Sequence, residues 1–403
     1  MRRARFLARA SAAVYVVVAL VAVDAQGALG AGQSAFRGFS IPTPNGSPYE
    51  LTVAAGGDVW FTEFGADKIG RVTPSGKISE FAIPTARSGP WGIAAGPDGN
   101  IWFTEFTADK IGRITPSGKI SEFQIPTTPG NPSANPKAVG NPYEITAGPG
   151  GDLWFTEYGA DEIGRITTSG TMSQFQIPTA RSLPYGIAAG PDGNVWFTEE
   201  DANKIGRITP TGAISEFQIP SAGGSPFGIT AGPGGDLWFT ESRAEKIGRI
   251  TPSGAIKEFP IPEGGSGPRD ITAGPGGDLW FTQLLTTNIA RITPAGKVSE
   301  FAIPTAESRP WGIVTGPGGD LWFTEALSDA IVRVQPQLLN KCVVPALKGK
   351  TLAQAKRLLG SALCKLGKVT ESSPHKHTPV VVSQKPSPNS VHPSGTKVSV
   401  QLA

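Results

Sequence analysis

The sequence is poor in charge and in long hydrophobic runs. Only 17% of the 403 residues are charged and the net charge is +3, which argues against nucleic acid as the main partner. No stretch reaches the ~20 consecutive apolar residues of a conventional transmembrane helix. Cysteine is rare as well, with only Cys342 and Cys364. The low net charge and the lack of long apolar runs therefore argue against nucleic acid as the main partner and against a conventional membrane span.

Histidine is scarce and confined to one end of the chain. The three copies are His375, His377 and His392, so residues 1–374 contain none. A Ser-His-Asp triad therefore cannot be assembled there. Neither a phosphate-binding glycine loop nor cysteines at zinc-ligand spacing occur, and the His375/His377 pair in a Pro/Ser-rich loop is typical of solvated surface. From the residues alone we predict no metal site and no cofactor.

A short hydrophobic segment opens the chain. Four arginines within the first nine residues precede an uncharged stretch over residues 10–23, and small residues follow where a signal peptidase would cleave. This order is typical of a secretory signal. We predict a signal peptide over residues 1–25 and a secreted or cell-envelope-associated, extracytoplasmic protein. The alternative is an uncleaved N-terminal anchor.

Glycine, proline and aromatic residues are abundant, and they recur in a repeat. The chain has 52 Gly, 37 Pro and 9 Trp. The motif Trp-Phe-Thr recurs with a 42-residue period and one 52-residue step, beginning at Trp60, Trp102, Trp154, Trp196, Trp238, Trp280 and Trp322. Seven units of this length, with turn residues about every ten positions, predict an all-β, seven-bladed β-propeller of four-stranded blades.

A second motif indicates how the ring of blades closes. Phe-x-Ile-Pro marks each outer strand, and its first copy, at Phe39, precedes the first Trp-Phe-Thr, whereas no copy follows the last. The seventh blade would lack its outer strand unless residues 36–42 supply it. We therefore predict a propeller over residues 36–336 that is closed by its N-terminal strand and leaves no exposed edge. The longer step falls in the connection 127–141, which we expect to project over one channel mouth.

The repeat resembles a known family. Blades that read GITAGPGGDLWFTE, KIGRITPSG and EFQIPT are similar to the virginiamycin B lyase family of streptogramin lyases, over residues 36–335. The resemblance implies a seven-bladed propeller. It also implies, as one functional alternative, a Mg²⁺-dependent lyase that opens a cyclic ester by elimination.

The residues that the family uses for catalysis are not all present. The resemblance places catalytic His and Glu residues near Mg²⁺ in the last two blades, with the His positions directly after the inner-strand proline. This chain has Arg269 and Trp311 there. Arginine stays protonated and an indole exchanges no proton, so neither replaces histidine as a base. The catalytic residues are therefore unknown, with Asp270 and Glu325 as weak candidate bases.

The last sixty residues form a different module. VPALKGKTLAQAKRLL and VVSQKPSPN resemble a PASTA domain, a small extracellular α+β module, over residues 341–403. Thr351 is the predicted N-cap of its helix, and Asn389 the predicted left-handed turn residue. Cys342 and Cys364 bracket the helix, and we predict a disulfide bond between them. The module has ten Lys and Arg residues against one acid, which suits an anionic cell envelope. The alternative is that these basic residues only make the surface of the module soluble.

One mouth of the channel is the predicted ligand site. First strands begin and second strands end at the same face, so the two positions after each inner-strand proline form rings around the channel. Aromatic rings there favour stacking on a flat or apolar ligand, and charged residues would orient it. Packing that seals the hub is the equal alternative. The candidate residues are Tyr49, Glu50, Trp91, Tyr143, Glu144, Tyr185, Phe227, Arg269, Asp270 and Trp311.

A row of acids follows Trp-Phe-Thr, and four of its members have a lysine five positions later. This spacing predicts a cross-strand Glu–Lys pair rather than a metal site. The row comprises Glu63, Glu105, Glu157, Glu199, Glu241 and Glu325, with Gln283 in the sixth blade.

Taken together, these patterns predict an exported, non-catalytic propeller that binds an unknown ligand at its aromatic mouth. The PASTA module is expected to hold it at a cell-wall component such as peptidoglycan. We expect a monomer, and Mg²⁺ only under the alternative of a streptogramin-lyase enzyme.

Overall fold

The computed structural model describes residues 35–126, 140–262, 264–371 and 378–403. The predicted signal peptide, most of the 127–141 connection, and His375 and His377 lie outside these residues. The chain divides into two compact units, Ala35–Leu339 and Asn340–Ala403. In the described part of the chain, no helix has the length and apolar character needed to cross a membrane.

The first unit contains seven four-stranded antiparallel sheets, each of which is one blade. Its first strand, β1 (Phe36–Ser40), is followed by six blades that are continuous in sequence. From inner to outer strand these are β2–β5 (Pro48–Val53, Val59–Glu63, Lys68–Val72, Ile78–Ala82), β6–β9 (Pro90–Ala95, Ile101–Glu105, Lys110–Ile114, Ile120–Gln124), β10–β13 (Pro142–Ala147, Leu153–Glu157, Glu162–Ile166, Met172–Gln176), β14–β17 (Pro184–Ala189, Val195–Glu199, Lys204–Ile208, Ile214–Gln218), β18–β21 (Pro226–Ala231, Leu237–Glu241, Lys246–Ile250, Ile256–Pro260) and β22–β25 (Pro268–Ala273, Leu279–Gln283, Asn288–Ile292, Val298–Ala302).

The seventh blade is assembled from both ends of the repeat. Its inner three strands are β26–β28 (Pro310–Thr315, Leu321–Glu325, Ala330–Val334), and β1 pairs antiparallel with β28. Phe39 of β1 stacks on Trp322 with ring centroids 5.6 Å apart, as Phe81 stacks on Trp60 in the first blade at 5.6 Å. The predicted closure by the N-terminal strand is thus confirmed, and the sheet ring has no break at this blade.

Packing between blades explains why the second strands are so apolar. Every residue of each Trp-Phe-Thr strand is buried, because one blade face packs on the preceding blade and the other on the following one. Phe61, for example, belongs to a cluster with Trp322 and Ile331 of the seventh blade. The unit therefore buries one apolar layer between each pair of neighbouring blades.

The second unit is the small α+β module. It comprises β29 (Lys341–Val343), α1 (Leu352–Ser361), β30 (Lys365–Glu371), β31 (Val381–Lys385), β32 (Val391–Pro393) and β33 (Lys397–Leu402). β29 pairs with β32, while β30, β33 and β31 form a three-stranded sheet in that order.

The predicted details of this module are confirmed. Thr351 caps α1 and forms a capping box with Gln354. Asn389 has the left-handed φ of 66°. The disulfide Cys342–Cys364 is present, and both cysteines belong to the module's apolar core.

The row of acids has the predicted register but different ion pairs. Glu63 lies opposite Lys68 in the ladder, yet the Lys68 ammonium lies 2.7 Å from Glu80 on the outer strand. Glu63 is fully buried, whereas Lys68 and Glu80 retain partial exposure. An ammonium keeps part of its hydration by pairing with the outer carboxylate. The equivalent ion pairs are Lys110–Glu122, Lys204–Glu216 and Lys246–Glu258.

Burial raises the pKa of the inner carboxyls of the row, and those of Glu63 and Glu105 are raised above neutral pH. Burial, reinforced by the carboxylate of Glu122, raises the pKa of Glu105 to about 8. Burial and the carboxylate of Glu80 raise the pKa of Glu63 to about 8. In the sixth blade an amide replaces the acid, and Gln283 Nε2 donates to Glu300 Oε1 at 2.6 Å. A protonated carboxyl and an amide therefore occupy equivalent positions.

We predict that Phe39→Ala destabilises the propeller by about 3 kcal/mol, because it removes a buried aromatic ring from the closing strand. Ser40→Ala, at an exposed position of the same strand, should leave stability unchanged. All nine tryptophans lie between Trp60 and Trp322, so urea unfolding followed by tryptophan fluorescence reports on the propeller. Equal midpoints for the two variants would show that β1 does not close the ring.

We also predict that Glu105→Gln stabilises the propeller increasingly as pH rises. The folded pKa of Glu105 is raised, so the folded state binds the extra proton, and stability is lost as pH increases from about 4.5 to about 8. Each such carboxyl costs up to about 1.4 kcal/mol per pH unit in that window. The glutamine variant removes this slope, and Gln283→Glu should introduce it.

Urea unfolding at pH 5, 7 and 9 measures the effect. Glu371→Gln, at an exposed carboxyl of the other unit, serves as the control. A Glu105→Gln advantage that is the same at all three pH values would contradict the protonated state.

Candidate functional site

Each channel-facing segment is shaped by a bulge in the first strand and by a buried threonine. In the first blade the ladder shifts register between Pro48 and Leu51, which leaves the backbone of the intervening residues without strand partners. The hydroxyl of Thr62, from Trp-Phe-Thr, accepts the N–H of Glu50 at 3.2 Å and donates to the carbonyl of Trp91 in the next blade at 2.8 Å.

The same pair of bonds occurs in every blade, so the threonines join neighbouring blades around the whole hub. The seventh closes the circle, because Thr324 donates to the carbonyl of Tyr49 at 2.7 Å. All seven hydroxyls belong to fully buried residues, and the set is Thr62, Thr104, Thr156, Thr198, Thr240, Thr282 and Thr324. The residue that directly follows each inner-strand proline is termed a mouth residue, and the peptide group after it is held by two threonines, as Thr62 and Thr104 hold that between Trp91 and Gly92. The seven mouth residues are Tyr49, Trp91, Tyr143, Tyr185, Phe227, Arg269 and Trp311.

The seven mouth residues pack on one another rather than standing apart. Successive ring centroids lie 4.5 Å (Tyr49–Trp91), 4.4 Å (Trp91–Tyr143), 3.9 Å (Tyr143–Tyr185) and 4.6 Å (Tyr185–Phe227) apart. The residues Tyr143, Tyr185 and Phe227 are buried. Stacking on a ligand and packing within the hub are the two roles expected for these rings, and these three rings pack on one another.

Arg269 occupies the sixth place in the ring and completes it. Its guanidinium carbon lies 3.8 Å from the ring centroid of Phe227 and 4.1 Å from that of Trp311. It also donates to the hydroxyl of Tyr185. These cation–π contacts hold a permanent positive charge in the plane of the mouth. Trp311 closes the ring by contacting Tyr49 at 4.7 Å.

Three carboxyls lie directly below the aromatic layer. Glu50, Glu144, Arg269 and Asp270 line a cavity of about 50 Å³ in the hub. Burial and the neighbouring carboxyls raise the pKa of Glu50 and of Glu144 well above the usual range, while the charge of Arg269 opposes this. Burial raises the pKa of Asp270 to about 6, and the N–H of Ile313, at 2.8 Å, opposes the shift.

These groups do not fit Mg²⁺. The ion requires near-octahedral oxygen ligands, but the guanidinium of Arg269 shares the cavity and Asp270 is already engaged by a backbone N–H. Among the described residues, no three His, Cys, Asp or Glu side chains are grouped to hold a metal ion. We therefore assign no metal-dependent step to the hub.

The structure brings nearly all the predicted site residues together. The ten predicted ligand-binding residues contribute to the ring or to the cavity beneath it. Glu325 does not line that cavity. It lies in the buried row of acids, where Ala330 and Gly38 replace the usual lysine and outer glutamate, and burial raises its pKa to about 7.

Sequence reasoning missed the rim of the mouth. Phe64, Phe106 and Tyr158 pack behind the ring in the first three blades, for example Phe64 at 5.2 Å from Trp91. In the last two blades the same connections carry Leu285 and Leu327, which are 67% and 59% exposed. The sequence contained a signal for these residues. Phe64, Phe106 and Tyr158 directly follow Trp-Phe-Thr-Glu, and Leu285 and Leu327 lie two positions after the end of this motif or its Gln variant.

Comparisons with known proteins identify both units. The virginiamycin B lyase family model matches residues 16–139 and 134–339, and the PASTA domain model matches residues 343–403. No curated protein matches the chain.

Three solved structures of that family are similar to the propeller. Selenomethionine-substituted virginiamycin B lyase from Staphylococcus aureus is 40% identical with a TM-score of 0.70, and the match covers 74% of this chain and 98% of that one. A streptogramin B lyase structure is 38% identical with a TM-score of 0.69, covering 74% and 97%. A catalytically inactive His-to-Ala variant of the Staphylococcus aureus enzyme with quinupristin is 40% identical with a TM-score of 0.68, covering 74% and 99%. The chain belongs to the virginiamycin B lyase family and carries a C-terminal PASTA domain.

Proposed function

We propose that this protein is an extracytoplasmic, monomeric binding protein. Its propeller binds a flat or apolar ligand at the channel mouth and does not catalyse a reaction of that ligand. The proposed site is the exposed side of the aromatic ring together with its leucine rim. The observation that carries the proposal is that Leu285 and Leu327 lie exposed at the same face of the propeller as the partly exposed Tyr49, Trp91 and Trp311. Large exposed apolar side chains around a mouth favour binding of an apolar ligand.

Hydrogen-bond donors at the same place suggest what the ligand presents. The indole N–H groups of Trp91 and Trp311 and the Nε–H of Arg269 are buried without an acceptor among the described residues. A buried donor without a partner costs about 1–3 kcal/mol. A ligand that parts the ring and places a carbonyl or carboxylate oxygen beside these donors would satisfy them, so we propose an aromatic or macrocyclic ligand that carries such acceptors.

The proposal that the propeller is non-catalytic is supported by its lack of histidine. Residues 1–374 contain none, and one 40% identical relative is catalytically inactive after a single His-to-Ala substitution. Loss of a positioned acid or base typically costs ~10²–10⁴ in rate. The proposed positions of the family histidines carry Arg269 and Trp311, which supply no proton-transfer group.

A second candidate function is lyase-type elimination by a carboxylate. The observation that favours it is the buried carboxyl of Asp270, whose pKa burial raises to about 6, a suitable value for a base at neutral pH. In that case the Asp270 carboxylate would take a proton from the carbon adjacent to the one that bears the ester oxygen. A C=C double bond would form between these two carbons as the C–O bond breaks, and its electron pair would leave on the released carboxylate of the opened ring.

The PASTA module supports the proposed location. PASTA domains bind peptidoglycan-related ligands, and a disulfide-bonded module is typical of an oxidising, extracytoplasmic compartment. We propose that the module holds the propeller at a cell-wall component such as peptidoglycan.

We predict no linearised product when the unmodified protein is incubated with quinupristin, with or without Mg²⁺ and with or without EDTA. Mass spectrometry of the reaction detects the opened ring, and an active streptogramin B lyase serves as the positive control. Turnover that survives EDTA and is lost in Asp270→Asn would establish the second candidate. Turnover that EDTA abolishes would overturn our assignment of the hub as unable to hold Mg²⁺.

Binding is tested separately from turnover. If the rim is part of the site, Leu285→Ser with Leu327→Ser should weaken quinupristin binding by about tenfold, because two apolar side chains lose their contact area. Quenching of tryptophan fluorescence measures the dissociation constant. Leu363→Ser, at an exposed leucine of the other unit, is the matched control. Equal affinities for all three proteins would exclude the rim.

A further inference from the structure

The PASTA module has one sheet face that carries positive charge without any acid. Val398, Val400 and Leu402 of β33 point into the module core, beside Ala355 and Leu359 of α1. Side chains alternate along a strand, so the residues between them lie on the opposite face. That face is referred to below as the lysine face, and it comprises Lys365, Thr370, Ser383, Lys385, Lys397, Ser399 and Gln401.

The lysines on this face are placed against one another. Lys365 of β30 lies directly opposite Lys397 of β33 in the parallel ladder, and Lys385 of β31 lies opposite Ser399. All three lysines are exposed. Like charges that face each other across strands are destabilising, and no ion pair among the described residues involves them. The only acid of residues 341–403 is Glu371, which pairs with Leu402 at the end of the ladder.

Polar groups fill the space between the lysines. Ser383 donates to Gln401 Oε1 at 3.1 Å, and Ser399 lies between Lys385 and the Lys365–Lys397 pair. Hydroxyl and amide groups bind phosphate and sugar oxygens, and ammonium groups act as point charges for phosphate. The seven residues of the lysine face are all polar or charged, and Val382, at the β31 bulge beside Ser383, is the one exposed apolar side chain next to them in β31. Three lysines and a single valine fit a soluble, regularly charged chain better than a lipid surface.

We propose that the lysine face binds a phosphodiester-linked anionic polymer of the cell envelope. The repeated phosphates would neutralise the opposed lysines, and the hydroxyls between them would bind the intervening sugar or polyol units. This inference rests on the anchoring role proposed above but names a different ligand from the glycan strands. The two can fail independently in the experiment that follows.

The test uses the full mature chain and soluble poly(glycerol phosphate), with dextran as an uncharged probe. The expected result is binding of the phosphate polymer alone, weakening steeply between 50 and 300 mM NaCl by counterion release. Lys365→Gln with Lys397→Gln should weaken binding about tenfold at 100 mM NaCl and flatten the salt dependence. Lys356→Gln with Arg357→Gln removes the same charge from exposed positions on α1 and should change affinity less than twofold. Equal losses in the two double variants would overturn the lysine face.

Two further controls test whether the variants remain folded and which cell-wall component is bound. Lys365→Arg with Lys397→Arg keeps the charge and should retain binding, which separates loss of charge from loss of structure. Cell walls stripped of phosphate polymers with hydrofluoric acid should bind much less protein than intact walls. If stripped walls bound as much protein as intact walls, the proposal of a phosphate-polymer ligand would be overturned and anchorage through glycan strands would be supported. Binding to phosphatidylglycerol vesicles but not to poly(glycerol phosphate) would also overturn it, in favour of a membrane surface.

Discussion

The buried threonine of Trp-Phe-Thr is the constraint on which the propeller depends. Its hydroxyl accepts one N–H from the bulged first strand of its own blade and donates to a carbonyl of the next blade, as Thr198 does with Gly186 and Phe227. Both backbone groups are buried and would otherwise lack partners. Seven copies form a closed circle of hydrogen bonds, so each blade is positioned by its two neighbours at the level of the hub.

The hydrogen bonds that position the blades do not involve the side chains at the channel mouth. The threonine bonds use only backbone groups, namely the carbonyl of each mouth residue and the N–H of the residue after it, so the side chains at those positions are free to vary. The chain places Phe227, Arg269 and Trp311 at successive mouth positions without altering the hydrogen bonds beneath them. This chain is 40% identical to a virginiamycin B lyase, yet its channel mouth contains no histidine. The fold of the family is therefore compatible with the loss of histidine from the mouth.

Charge is handled in opposite ways by the two units. In the propeller the buried carboxyls of the acid row, such as Glu63 and Glu105, hold their protons because burial makes ionisation costly. In the PASTA module Lys365, Lys385 and Lys397 are exposed, and the module has ten basic residues against one acid. The propeller thus buries carboxyls of the acid row, whereas the PASTA module exposes lysines on its surface.

The sequence by itself determined the blades, the closing strand, the disulfide and the two families. These follow from local signals: a 42-residue period, Gly and Pro at turns, and an outer-strand motif at Phe39 that precedes its blade. Tertiary structure alone decided how the side chains meet. Lys68 is as near to Glu63 in the ladder as predicted, yet it pairs with Glu80 because only that carboxylate keeps contact with water. The mouth aromatics were visible in the sequence, but whether they stack on one another depends on how seven blades converge. The threonine circle was likewise not evident from the sequence, because its bonds between blades join residues far apart in the chain. Thr198 and Phe227 are 29 positions apart, and Thr324 and Tyr49 are 275 apart.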